Sequence, residues 1–82
     1  MKRFPIRLSL VENVKTFVNI VNHYDFDMDL RAGRQVVDAK SILGIFSLDL
    51  SKQISLDIDD EHVSEEKLNA LLAEIKPFMA EE

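Results

Sequence analysis

The two histidines, His23 and His62, are the first residues to consider for chemistry, because imidazole binds metal ions and transfers protons near neutral pH. Neither belongs to an HxxxH pattern, which would place two metal ligands on one helix face. Neither has a triad-like sequence context, although sequence distance does not exclude pairing in space. We interpret His23 as the end of a first helix and His62 as part of an acidic link. The sequence therefore predicts no catalytic residue and no metal site.

An alternating run of aspartates, Asp25-x-Asp27-x-Asp29, resembles the start of a calcium loop. Such a loop needs a turn-forming glycine where Leu30 stands and a bidentate glutamate where Val36 stands. The residues between the aspartates are Tyr24, Phe26 and Met28, which suit the buried face of a strand. The run is therefore predicted to be the solvated face of a strand spanning residues 24–30.

Ser41 precedes a short, very apolar stretch over residues 42–48, for which we predict a helix capped by the serine hydroxyl. The same helix terminus would also stabilise a phosphate on Ser41, because free N–H groups and the helix dipole favour an anion. A helix this short cannot bury all of its apolar residues against a small sheet. We expect some of them to form an exposed patch that contacts another protein. The alternative is that the chain itself covers the patch.

Composition limits the remaining function classes. The chain has 82 residues, 46% hydrophobic and 30% charged, which is typical of a globular protein, and we expect a single domain over residues 1–82. It has no cysteine, and its two glycines form no phosphate-binding loop, so no cofactor is predicted. With a net charge of −5 and no basic cluster, nucleic acid is an unsuitable partner. No segment resembles a signal peptide or a membrane span, so we expect no membrane contact and a cytoplasmic location.

Hydrophobic periodicity predicts four strands and three helices in the order βαββαβα. Ser9 and Glu12 form a capping-box pattern at the start of the first helix, and Gly33 can adopt positive φ in a hairpin turn. Ser64 can cap the last helix, which Pro77 ends or kinks. The predicted strands are residues 4–8, 24–30, 34–39 and 53–58. The apolar stripe of the first helix consists of Leu10, Val14, Phe17, Val18 and Val21, and that of the last helix consists of Leu68, Leu71, Leu72 and Ile75.

This pattern indicates an α+β fold in which the two longer helices cover one face of a four-stranded antiparallel sheet and leave the other face in water. Such an arrangement is an open-faced β-sandwich.

Residues 33–48, which read GRQVVDAKSILGIFSL, resemble the turn, third strand and second helix of HPr. HPr is the small phosphocarrier protein of the bacterial sugar phosphotransferase system. The predicted element order also matches the HPr fold, and the resemblance covers roughly residues 14–76 before it weakens towards the N-terminus. It implies an HPr-like open-faced sandwich with three helices, and a protein that is not itself an enzyme.

The resemblance fails where HPr proteins carry Gly-x-His-Ala-Arg-Pro, whose histidine takes phosphate from enzyme I and whose arginine supports it. Counting back from Ser41 without gaps places Leu10 at the histidine position, Glu12 at the arginine position and Asn13 at the proline position. Leucine has no nitrogen to phosphorylate, and a glutamate repels a phosphoryl group. The sequence therefore predicts a divergent HPr-like protein without the phosphocarrier histidine.

The resemblance also assigns roles to the second helix. Ser41 matches the regulatory serine that HPr kinase/phosphorylase modifies, and Ile42, Leu43 and Phe46 match the apolar patch that HPr offers to enzyme I, to the kinase and to transcriptional regulators. We therefore predict a regulatory or adaptor module that binds proteins through this patch and is switched at Ser41. Two alternatives stay open, namely a phosphocarrier that uses a non-standard residue such as His23 or His62, and a structural paralogue that is never phosphorylated.

Overall fold

The computed structural model describes residues 1–80 and contains the predicted βαββαβα order. All strand pairs are antiparallel, and the order across the sheet is β1-β4-β2-β3. The fold is therefore the expected α+β arrangement of one four-stranded sheet and three helices. The elements are β1 (Lys2–Ile6), α1 (Val11–Val21), β2 (Met28–Ala32), β3 (Gln35–Asp38), α2 (Ile42–Phe46), β4 (Ile54–Ile58), α3 (Glu65–Ile75) and a 3₁₀ turn (Lys76–Phe78).

The core lies between the helices and one face of the sheet. Alternate side chains of β2 and β4 point to this face, as the two-residue period of a strand requires, and they are buried against the apolar stripes of α1 and α3. The sheet face towards the helices is therefore apolar and the opposite face is polar, as the alternation predicts. The largest fully buried side chains are Leu8, Val14, Phe17, Val21, Leu30, Ile45, Ile54, Leu56, Ile58, Leu71 and Ile75.

Several element boundaries differ from the predicted ones. Strand β2 begins at Met28 rather than Tyr24, and Met28 pairs with Ile58, the last residue of β4. Beyond this pair, Asp59 N–H donates to the Asp27 carbonyl oxygen (3.1 Å), but the ladder does not continue. Tyr24 and Phe26 still contact each other with ring centroids 5.7 Å apart, in the segment before the strand. Asp25 and Asp27 therefore belong to a loop, and only Asp29 lies on the strand.

The predicted start of α1 is wrong in its details. The helix begins at Val11 with Leu10 as its N-cap, and no side chain accepts a hydrogen bond from the first turn. Ser9 therefore does not cap it. Leu10 is 61% exposed and does not belong to the buried stripe, whereas Leu8, predicted as a strand residue, is buried in the link after β1.

The outer edge of β1 is covered by the end of the described chain. Arg7 N–H donates to the carbonyl oxygen of Phe78 (2.7 Å), and Ala80 N–H donates to that of Pro5 (3.0 Å). Pro5 lies in an edge strand of the sheet, as its missing N–H predicts. The C-terminal segment therefore uses hydrogen-bonding groups that the edge would otherwise expose.

A buried carboxylate lies on the sheet face opposite the helices. Asp57 is 2% exposed, and its two oxygens accept from Arg3 Nε (2.8 Å) and Arg31 Nε (3.1 Å). Burial raises the pKa of Asp57, but the hydrogen bonds and charges of the two arginines outweigh burial and leave the pKa below its ordinary value. On neighbouring Asp29, burial and the charges of Asp38 and Asp57 raise the pKa.

We expect Asp57→Asn to lower the free energy of unfolding at pH 7 by about 1–3 kcal/mol, because both arginines lose a charge-assisted hydrogen bond. In the unfolded chain the carboxyl of Asp57 has a pKa of about 4, and above this pH the ionised group stabilises the fold fully. This stabilisation is lost as the pH falls through the lower pKa that Asp57 has in the folded protein. Urea unfolding of both proteins should therefore show a difference that shrinks below about pH 4.

Asp29→Asn is the matched control, since Asp29 and Asp57 are cross-strand partners. Its folded pKa is raised, so ionised Asp29 destabilises the fold, and the variant should be as stable as the parent or more stable at pH 7. Equal losses in the two variants would contradict the assignment of Asp57.

Candidate protein-binding site at the second helix

Ser41 starts α2 as predicted. Its backbone is extended (φ −102°, ψ 108°), and its Oγ accepts a hydrogen bond from Gly44 N–H at 3.1 Å. The Ser41 carbonyl oxygen accepts from Ile45 N–H, which closes the first helical turn. The hydroxyl thus satisfies one of the free N–H groups at the helix start, which is the function of an N-cap.

Gly44 lets this short helix approach the sheet closely. A Cβ atom at position 44 would lie 3.2 Å from Ser41 Oγ and 3.3 Å from Val37 Cβ. Both distances are tighter than ordinary van der Waals contact, so the absence of a side chain leaves room for the capping hydroxyl and for β3. The glycine therefore helps to fix the position of Ser41.

Lys40 ties the cap to the loop before β2. Its Nζ donates to the Tyr24 carbonyl oxygen at 2.6 Å, and its own carbonyl oxygen accepts from Asn22 Nδ2 at 3.3 Å. Asp38 completes the turn, because its carboxylate accepts from Lys40 N–H and its carbonyl oxygen accepts from Ser41 N–H. Lys40 stands next to Ser41, but its amine is occupied by this structural contact.

Tyr24 anchors the same loop to α3. Its hydroxyl donates to Glu74 Oε2 at 2.6 Å. This hydrogen bond is the main cause that raises the pKa of Tyr24 to about 12, and burial of the hydroxyl is a second cause. The sequence does not predict this contact, because the two residues are 50 positions apart and neither belongs to a recognisable motif. The segment before Ser41 is therefore held from two sides.

The apolar residues of α2 divide between core and surface. Ile45 is fully buried and Leu48 is 6% exposed, whereas Leu43 is 80% exposed, Phe46 is 42% exposed and Ile42 is half-buried. The helix therefore does leave apolar surface uncovered beside Ser41. We call the group of Ile42, Leu43 and Phe46 the α2 patch.

The two histidines lie away from the start of α1. His23 is in the turn after α1, 13 positions beyond Leu10, and a helical rise of about 1.5 Å per residue separates the two by about 20 Å. His62 lies in the turn before α3, with an exposed ring 3.6 Å from a Glu61 carboxylate oxygen. Its φ of +67° is uncommon for a residue other than glycine. Within residues 1–80, no hydrogen bond or ion pair joins either histidine side chain to Ser41.

A family model, the PTS HPr component phosphorylation site, matches residues 12–80. The chain belongs to the HPr family. The match begins two residues after Leu10, and the assignment of Leu10 to the histidine position of the family stays a prediction.

Solved HPr structures agree with the family. The crystal structure of HPr-C-His from Thermoanaerobacter tengcongensis superposes with a TM-score of 0.69 and 27% identity, covering 93% of this chain and 92% of that one. The phosphocarrier protein HPr from Bacillus anthracis str. Ames gives a TM-score of 0.57 and 29% identity, covering 90% and 93%. No curated protein matches the sequence.

Residues 1–80 contain no group of three or more histidine, cysteine, aspartate or glutamate side chains arranged to hold a metal ion. Among the helices of this part of the chain, none is both long and apolar enough to cross a membrane.

We expect Ser41→Ala to lower the free energy of unfolding by about 1 kcal/mol, the usual cost of losing a helix N-cap. Ser9→Ala is the matched control, because Ser9 was predicted to cap α1 and does not, so its loss should change stability by less than about 0.5 kcal/mol. Urea unfolding monitored by circular dichroism measures both. A loss at Ser9 as large as that at Ser41 would contradict the caps described here.

Proposed function

We propose that this HPr-family chain is a regulatory or adaptor module that binds other proteins through the α2 patch and does not pass phosphate through a histidine. The observation that carries the proposal is the exposure of Leu43 (80%) and Phe46 (42%) on the helix that begins at Ser41. These apolar side chains lie in water because the small core cannot cover them. A partner that covers them removes apolar surface from water, which lowers the free energy.

Leu10 and Glu12 support the absence of a histidine phosphocarrier. In the gapless alignment these residues take the positions of the family's phosphorylated histidine and supporting arginine. Leu10 is exposed at the N-cap of α1, so its position suits a residue that meets a partner. Its side chain, however, has no nucleophilic atom, and Glu12 adds negative charge to the first turn of the helix.

His23 and His62 are poor substitutes for that histidine. His23 is about 20 Å from the start of α1, so a donor seated at the family's usual position does not reach it. His62 lines a cavity together with the carboxylates of Asp25, Asp59 and Glu61, among others. This negative surround disfavours both the approach of a phosphorylated donor and the phosphohistidine itself.

Partners are expected among the proteins that bind HPr, namely enzyme I, HPr kinase or a transcriptional regulator. The α2 patch is small, so affinity should depend on a few well-buried contacts, with Phe46 and Leu43 as the main apolar anchors. The net charge of −5 favours partners whose contact surface is basic around an apolar pocket.

Phosphorylation of Ser41 would act on this surface rather than on the fold. It would add about 1.5–2 negative charges at the start of α2, where free N–H groups tolerate an anion. Lys40 is held by Tyr24, so much of the added charge would be available to a partner. A partner with an arginine beside its apolar pocket would then bind more tightly, and one with a carboxylate there more weakly.

We expect enzyme I and phosphoenolpyruvate to leave this protein without acid-labile phosphate, because Leu10 cannot accept it. A histidine-containing HPr in the same assay is the positive control. Labelling of this chain at the control's rate, lost in His23→Gln or His62→Gln, would show instead that a non-standard histidine carries the phosphate.

HPr kinase and ATP should place acid-stable phosphate on the protein, and Ser41→Ala should remain unlabelled. The readout is the mass of the intact protein. If neither protein gains phosphate, the switch is absent and only the constitutive adaptor and structural-paralogue readings remain.

Phe46→Asp and Leu43→Asp should each weaken binding to purified enzyme I or HPr kinase at least about tenfold, because a buried unpaired charge replaces an apolar anchor. Val36→Asp is the matched control, since Val36 is 45% exposed but lies on β3 outside the patch. Biolayer interferometry with the immobilised partner measures all three. Equal weakening by Val36→Asp, or none by the patch variants, would argue against the site.

A further inference from the structure

Strand β3 forms one edge of the sheet, and half of its backbone hydrogen-bonding groups face away from β2. Ala39 N–H donates to the Met28 carbonyl oxygen at 3.0 Å. Hydrogen-bonded and non-hydrogen-bonded pairs alternate along an antiparallel ladder. Gln35 and Val37 therefore bind β2, whereas Val36 directs its N–H and C=O groups outward. An edge of this kind can pair with a further strand.

The side chains along this edge do little to prevent such pairing. Natural sheets protect their edges with lysine, proline or a bulge, whereas residues 35–38 read QVVD and keep an unbroken register against β2. Val36 is 45% exposed. The strand is four residues long, so a strand added to it forms a small interface and binds weakly.

Charges at the two ends of β3 are left without partners. Asp38 is the cross-strand partner of Asp29, and like charges in this position destabilise a sheet. Burial, and then the charge of Asp38, raise the pKa of Asp29. Within residues 1–80, neither carboxylate forms a salt bridge, and neither does Arg34, the exposed residue before β3. An acidic and a basic group therefore lie two residues to either side of Val36.

We propose that two copies of this chain pair through their β3 edges as an antiparallel dimer with a two-fold axis at Val36. Each Val36 then donates its N–H to the carbonyl oxygen of the partner's Val36 and accepts the same bond in return. Arg34 lies opposite the partner's Asp38, and the symmetry forms this pair twice. The guanidinium groups neutralise the carboxylates that the single chain leaves unpaired.

Charge complementarity favours this register and a second copy as the occupant. Because outward-facing groups must meet, the other registers differ from it by shifts of two residues. One shift places Arg34 opposite the partner's Lys40, and centring the pair on Asp38 places two aspartates together. The register centred on Val36 gives opposite charges at both ends, so the strand is complementary to itself.

Dilution of the ¹⁵N-labelled full-length chain from millimolar to micromolar concentration tests the dimer. We expect amide shifts that depend on concentration and are centred on residues 34–38, and slower translational diffusion at millimolar concentration than a monomer shows. A chain that stays monomeric at millimolar concentration would overturn the proposal. A dimer whose concentration-dependent shifts lie at the α2 patch or on α3, and not on β3, would overturn it as well.

Charge reversal tests the register. Arg34→Glu and Asp38→Lys should each raise the dissociation constant of the dimer at least about tenfold, because each creates two like-charge contacts. Arg7→Glu makes the same change in net charge as Arg34→Glu but lies outside β3, and it should leave the constant within about twofold. An equimolar mixture of the Arg34→Glu and Asp38→Lys chains should dimerise again, because each reversed charge then faces its opposite. No recovery between the two folded variants would overturn the register.

Val36→Lys keeps the test valid if Asp38→Lys disturbs the turn before Ser41, where the Asp38 carboxylate accepts from Lys40 N–H. The new side chain occupies an exposed position and should abolish the dimer, because two lysines then face each other at the axis. Val11→Lys, the same change at a valine of α1 that is 57% exposed, is the matched control and should dimerise as the parent does. Equal loss in both variants, or none in Val36→Lys, would overturn the assignment of the edge.

Discussion

Strand β4 pairs with β1 on one side and with β2 on the other, and this double pairing positions every other element of the structure. Because β4 follows α2 in the chain but lies inside the sheet, the N-terminal strand and the central hairpin are both aligned against it. Ile54, Leu56 and Ile58 then form the middle of the core face, on which the apolar stripes of α1 and α3 pack. The same pairing brings together the link that follows β1 and the link that precedes β4.

The second helix occupies the space that this arrangement leaves beside β3. It is five residues long, so only Ile45 of its apolar side chains is fully buried, with Leu48 following just after the helix. Leu43 and Phe46 stay in water because a longer helix or another layer would be needed to cover them. The exposed patch therefore results from the small size of the fold.

Features that depend on residues close together in the sequence were predicted correctly. Features that depend on contacts between residues far apart in the sequence were not. The alternation in β2 and β4, the stripe of α3 and the caps at Ser41 and Ser64 depend on residues a few positions apart, so they could be predicted. The beginning of β2 depends on where β4 ends, which no local pattern reports. Asp57 meets Arg3 across 54 positions, and its burial depends on strand order.

The candidate sites follow the same division. Ser41 and the α2 patch belong to one continuous segment, and both the helix pattern and the family resemblance indicated them. Tyr24 and Glu74, whose hydrogen bond anchors the loop before β2, are 50 positions apart in sequence and meet only in the folded chain. The capping pattern at Ser9 failed for a related reason, since the buried Leu8 fixes the path of the link and the helix begins later.

The C-terminal segment that pairs with β1 also limits how copies of this protein can join through their sheets. A sheet that extends into a fibre needs two open edges, one to accept the previous copy and one to offer to the next. Within residues 1–80, Phe78–Ala80 occupies the β1 edge, which leaves β3 as the open one. Edge-to-edge growth at β3 therefore ends once two copies meet, and a chain shortened before Phe78 would regain the second edge that continuous assembly requires.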